Sequence, residues 1–171
     1  MDALELLRQD IQQAHELLEA TMEGVTAEEA HWLPPGTANP LGATYVHAVA
    51  SEDAVIHGIL QGQPPLFSTS WAESTGVSDI QPLSSAEWAR QVQVDVPKLR
   101  TYAQAVHNAT EEYVQSLKPD DLARMVDVSN LGLGELSVGH ILSRFVAGHV
   151  DNMCGEISCL KGLQGGKGYP F

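Results

Sequence analysis

Seven histidines are the residues of this sequence best suited to chemistry, because an imidazole can ligate a borderline metal ion or carry a proton near neutral pH. Position along the chain sorts them. In the last third, Leu142, Phe145, Val146, His149, Met153, Ile157 and Leu160 recur at spacings of three and four. His149 and Met153 therefore share an apolar helical stripe expected to face the interior. A buried imidazole must hydrogen-bond or bind something, which makes His149 the best single candidate ligand. His140 falls about half a turn away from His149 at roughly 100° per residue, on a face with Arg144 and Asp151 that should see solvent or a partner chain.

Further upstream, His47 lies on a strip of small residues, Ala43, Ser51, Ala54 and Gly58. Such a strip either lets a neighbouring helix approach closely or leaves a cavity beside His47. His57 is nearly three turns further on, roughly 15 Å at 1.5 Å per residue, too far to share a metal with His47. Glu52 and Asp53 are the carboxylates closest in sequence to His47. They are expected on a solvated helix face, from which one could accept the His47 ring N–H. His15, His31 and His107 have no second ligand near them in the sequence and are expected to be structural or solvated.

The elements that must position these side chains read as helices. Leu4, Leu7, Ile11, His15, Leu18 and Met22 mark helix one, from Ala3 to about Met22. Thr26 and Glu29 have capping-box spacing for a short turn that ends before Leu33-Pro34-Pro35. Helix two is expected to open with Asn39 as N-cap and Pro40 at its first position, and to run to about Gly62. From Gln63 to Leu83 the chain is rich in Pro, Ser, Thr and Gly around Phe67 and Trp71, which predicts a long connection packed by its aromatics. Ser84 and Glu87 have the spacing of another cap, ahead of a long helix three that Pro97 should kink or restart. An irregular or briefly extended stretch, Met125 to Gly134, leads to the last helix, about Leu136 to Leu163, which Gly165-Gly166 stop. Four long amphipathic segments without hairpin signals predict an all-α fold, a four-helix bundle with a long connection between helices two and three.

Composition narrows the function classes. A chain of 171 residues, 43% hydrophobic and 18% charged, is the right size for one domain spanning residues 1–171. Nine basic residues against 22 acidic ones leave a formal charge of −13, and no basic cluster is visible, so nucleic acid and anionic membrane surfaces are disfavoured partners. The N-terminal MDALELLRQD lacks the features of a secretory signal, and no run approaches a membrane span, so a cytoplasmic location is expected. Cys154 and Cys159 point to different sides of one helix and should be reduced thiols.

The run NPLGATYVHAVASEDAVIHGILQG, together with the distant SVGHILSRFVAGHVDNMCGEISCLKGLQGGKGYPF, resembles the DinB-like (DinB/YfiT) superfamily over essentially the whole chain. The resemblance implies a four-helix bundle binding one divalent metal ion, often zinc or nickel. The ligands would be one histidine of helix two and a His-x-x-x-His pair in the last helix, the second lying two residues before a Gly-Gln/Glu-Ile signature. By that pattern His47 matches the first ligand, His149 the second, and Gly155-Glu156-Ile157 the signature. The third ligand position holds Met153.

A thioether is a soft donor that suits Cu(I) better than Zn(II) or Ni(II). Three outcomes stay open: metal held by His47 and His149 with water and a side chain such as Asn152 or Glu52; weak binding only; or a metal-free pocket in which Met153 fills the volume. Characterised relatives in the family are thiol-dependent transferases or isomerases, including maleylpyruvate isomerases that use mycothiol and bacillithiol transferases. The resemblance thus implies a small-molecule pocket and a low-molecular-weight thiol partner. The alternative expectation is a non-catalytic binding or interaction protein that lost the complete metal triad. Homodimerisation through a bundle face is also expected from the resemblance.

Overall fold

A computed structural model describes residues 2–83 and 85–171. The first helix, α1 (Ala3–Met22), has the predicted bounds, with the Asp2 side chain accepting from Glu5 N. A short α2 (Ala27–His31) follows, with the Thr26/Glu29 capping box formed as predicted. Helix α3 (Leu41–Asp53) then continues without interruption as a π-helical segment, Ala54–Leu60. Pro40 lies outside α3 as its N-cap, with helical φ (−57°) but extended ψ (148°). The predicted start at Asn39 is therefore one residue early.

The connection from Gln61 onward holds a 3₁₀ turn at Leu66–Ser68 and a bridge between Val77 and Val94. The predicted cap at Ser84 lies outside the described residues. Ser85 caps α4 (Ala86–Gln91), its hydroxyl accepting from Trp88 N. The chain then restarts as α5 (Val96–Ser116), capped by Asp95 with Pro97 in its first turn, where the missing N–H costs nothing.

Where no hairpin was expected, one forms. Met125–Asp127 (β1) pairs antiparallel with Glu135–Ser137 (β2), Val126 opposite Leu136. Gly132 and Gly134, at φ 76° and 71°, supply the left-handed turns that link the strands. Leu136 is thus a strand residue, and the last helix begins at Val138 with Ser137 as cap. It runs as α6 (Val138–Ile141), a second π-helical segment at Leu142–Ala147, and α7 (Gly148–Leu163).

The chain is thus mostly helical, with one small two-stranded sheet. Four long helical pieces pack side by side: α1 and α3 each lie against both α5 and α7. Their apolar faces form two clusters. One gathers Leu18, Met22, Tyr45, Val49, Tyr102, Val106, Val150 and Cys154. The other gathers Leu4, Ile11, Val55, Ile56, Val114, Ile141, Leu142 and Val146. On each helix the chain passes from one cluster to the other through a polar position: His15 on α1, Glu52 and Asp53 on α3, His107 and Thr110 on α5, His149 on α7. A layer of titratable side chains therefore crosses the middle of the hydrophobic interior. Among the described residues no helix is long and apolar enough to cross a membrane.

The connection is anchored at its start by Asp53, which is fully buried. Its carboxylate accepts from Leu66 N and Phe67 N, both at 3.0 Å, and from the Tyr102 hydroxyl at 2.6 Å. His57 Nδ1 lies 2.7 Å from the same carboxylate. Leu66, Phe67 and Trp71 consequently pack on the first cluster, with Trp71 beside the Tyr102 ring. Asp53→Ala should strand three donors at once and lower stability by about 3 kcal/mol. Urea denaturation measures the loss, and limited proteolysis should find new cleavage sites between residues 63 and 83.

Candidate functional site

The stripe on the last helix and the small-residue strip on α3 do bring His47 and His149 together. Their Nε2 atoms are 3.2 Å apart, with the rings edge to face at 80° and centroids 5.0 Å apart. Both side chains are half-buried. His47 Nδ1 lies 3.0 Å from the carbonyl oxygen of Pro82, which also accepts from the Ser51 hydroxyl at 3.1 Å. A carbonyl can only accept, so His47 carries its proton on Nδ1 and turns the Nε2 lone pair toward His149. The contact between the rings is then an N–H···N bond donated by His149 Nε2. Burial, with His47 beside it, holds the His149 pKa down to about 4, so this ring is neutral at pH 7.

Two nitrogens on one tetrahedral zinc ion sit about 3.3 Å apart, given Zn–N bonds of about 2.05 Å. The observed 3.2 Å matches that span. A histidine ligand also commonly donates its other N–H to a carbonyl, as His47 does to Pro82. The pair therefore fits two positions of a metal site. The third is less well supplied. Met153 is half-buried and packs on the first apolar cluster, and it offers only a soft sulfur. Asn152 is on the exposed side of α7.

The other expected donor, Glu52, is not on a solvated face. It is fully buried and belongs to a second constellation that sequence spacing did not reveal. His15, Glu52 and His107 come together from α1, α3 and α5, each nearly inaccessible to solvent, with one donor atom from each lying within 4.8 Å of the others. The expectation that His15 and His107 stand apart from any second ligand is thereby corrected. Their rings stack at 3.9 Å with only 11° between planes. The Glu52 Oε1 atom accepts from the Thr110 hydroxyl and lies 2.9 Å from His15 Nε2. That last contact is ionic rather than a formed hydrogen bond, because the ring N–H direction misses the oxygen.

The electrostatics follow from this packing. Burial pushes the Glu52 carboxyl up, but His15 and the Thr110 hydrogen bond outweigh it and bring the pKa down to about 2. Burial works against a charge on His15, and the Glu52 charge overrides it, so the His15 pKa is raised. His107 has burial against it and only partial compensation from Glu52, and its pKa falls to about 4. At neutral pH Glu52 is a carboxylate and His107 a neutral imidazole, stacked on a His15 ring whose charged form the carboxylate favours. Two imidazoles and a carboxylate from three helices are also a donor set able to hold a metal ion.

Sequence periodicity held a signal for this second constellation. His15 sits on the α1 stripe between Ile11 and Leu18. Glu52 continues the buried series Tyr45, Val49, Ile56, and His107 continues Ala103, Thr110, Val114. A titratable residue in register with a buried stripe is the mark to look for.

The remaining histidines do other work. His31 is a strut: Nδ1 lies 2.7 Å from Ala27 O, and Nε2 accepts from Val94 N at 2.9 Å. His57 contacts Asp53, and His140 is exposed beside Phe145. Cys154 is buried against the Thr21 hydroxyl, and burial raises its thiol pKa, while Cys159 is exposed; both are free.

Comparison with known proteins agrees with this architecture. The crystal structure of a conserved protein from Enterococcus faecalis superposes with a TM-score of 0.79 at 21% identity, covering 95% of this chain and 97% of that one. None of the curated proteins matches the sequence. The signature of the DinB superfamily matches residues 10–152, most of the chain. This protein belongs to the DinB superfamily.

Proposed function

We propose that this chain is a DinB-type four-helix bundle, with a long connection between its second and third long helices, that holds one divalent metal ion, zinc or nickel, between His47 and His149. The observation that carries this reading is the 3.2 Å approach of two Nε2 atoms, one of them oriented by the Pro82 carbonyl. A divalent ion bound there would act as a Lewis acid toward a thiol or carbonyl in an open coordination position. The ligand class proposed is a small molecule such as a low-molecular-weight thiol, with transfer or isomerisation as the reaction.

The chain's own residues prepare the site in three ways. Pro82 and Ser51 fix the His47 ring so that Nε2 need not reorient to ligate. The lowered pKa of His149 leaves it a neutral imidazole at neutral pH, and its remaining proton need only shift from Nε2 to Nδ1 for Nε2 to ligate. Met153, at the third family position, offers only a soft thioether, so the metal should be held less tightly than by three imidazoles. That sulfur favours a second reading: a non-catalytic binding or interaction protein that has lost the complete metal triad. The two readings part on metal content.

Zn(II) or Ni(II) added to tag-free, chelator-treated protein should bind and raise the melting temperature, and His47→Ala or His149→Ala should lower the binding by one equivalent and reduce the rise. A protein that takes up neither ion, with no thermal shift, supports the binding-module reading. Met153→His should complete a three-imidazole set and tighten Zn(II) on the order of a hundredfold, as followed by competition with a chromophoric chelator. An unchanged affinity in that variant means that residue 153 does not face the pair.

A further inference from the structure

The layer between the two apolar clusters leaves too many polar atoms without partners for a finished network. Nδ1 of His15, Oε2 of Glu52 and Nε2 of His107 are all buried without a hydrogen bond, as is Nδ1 of His149. An orphaned buried donor or acceptor costs about 1–3 kcal/mol. Three of these four atoms belong to side chains no more than 4% exposed, grouped in one place. The arrangement of the carboxylate is specific. Thr110 occupies Oε1, which leaves Oε2 unclaimed on the best anionic donor in the interior.

We propose that His15, Glu52 and His107 form an internal divalent-metal site, separate from the His47–His149 pair and sharing no ligand with it. One cation would engage the free carboxylate oxygen and two imidazole nitrogens, groups that a hydrophobic interior otherwise leaves unmatched. The donor set selects the ion: two imidazoles and one carboxylate suit Zn(II), Mn(II), Fe(II) or Co(II) and give no advantage to soft ions. Ligands drawn from three helices, facing inward at one level, are how helical proteins build such centres. Loading requires one change. Imidazoles stacked at 11° hold their lone pairs in nearly parallel planes, so for two of them to converge on one ion a ring must turn about its Cβ–Cγ bond and the stack must open. The proposal does not rest on the His47–His149 reading, and either can fail alone.

The test is titration of chelator-stripped, tag-free full-length protein with Co(II), followed by visible d–d absorption and by metal analysis after desalting. Wild type should retain two equivalents, and a His47→Ala/His149→Ala double variant should retain one. In that double-variant background Glu52→Gln, which preserves shape, should lose the remaining equivalent. His107→Phe, which preserves the stacked ring, should lose it as well. Circular dichroism and melting curves establish that each variant is folded, and the phenylalanine variant keeps the test decisive if the glutamine variant is not.

Opening of the stack provides a readout that needs no variant. Zn(II) should move the ring proton resonances of His15 and His107 in the wild-type NMR spectrum. Loss of all Co(II) in the His47→Ala/His149→Ala variant overturns the internal site and leaves the outer one standing. Retention of the last equivalent by both Glu52→Gln and His107→Phe overturns it as well. One equivalent in wild type that persists in the double variant overturns the outer pair instead.

Discussion

A single carboxylate, that of Glu52, sets terms for the rest of the interior. Removed from water altogether, it has a charge that hydrocarbon alone could not tolerate. Two helices answer it: α1 brings His15 to 2.9 Å, while α5 supplies the Thr110 hydroxyl and stacks His107 on the His15 ring. A slip of any one helix by a single residue would pull a partner out of reach. The polar layer therefore fixes the axial register of α1, α3 and α5 more sharply than apolar packing does, since leucines and valines tolerate small slides. Buried polar groups that specify arrangement more than they add stability are known from helical assemblies, and this layer has the form of one.

Helix irregularity is concentrated where the polar layer meets the second apolar cluster. The π-helical segments Ala54–Leu60 and Leu142–Ala147 follow Glu52–Asp53 on one long helix and precede His149 on the other. A π turn widens the helix and advances the face of everything beyond it. In α3 this occurs just after the chemistry-bearing residues, and in the last helix just before them. The His47–His149 pair and the ionic layer thus sit on regular α-helix while the adjustment is confined to the apolar flank. Glycines help where helices approach closely: a Cβ at Gly42 would come within 2.9 Å of Ala30 O, so α2 can lie directly on α3.

How much of this the sequence disclosed depends on the range of the interaction concerned. Helix α1 was legible to the residue because its stripe and its capping signals are local. Pro97 correctly marked the restart of α5 for the same reason. The β-hairpin was missed because strands of three residues leave almost no alternation to read, and Gly132 and Gly134 looked like an ordinary loop. The π segments leave no compositional trace, since they arise from how the long helices settle against each other. Residues able to bind metal followed the same rule. The family pattern singled out His47 and His149, which lie close together, whereas spacing alone could not join them. The grouping of His15, Glu52 and His107 spans 37 and 55 residues of sequence and became visible only once three helices were placed side by side.

The Pro82 carbonyl described above gives the long connection a second mooring. Asp53 fastens the beginning of that segment, and the ring of His47, six residues earlier on α3, fastens its end through Nδ1 and Ser51. A surface strap is therefore tied at both ends to one helix, and one knot is the imidazole that also faces His149. Turning that imidazole would break the bond from Nδ1 to Pro82 and leave Ser51 as the remaining tie at that end.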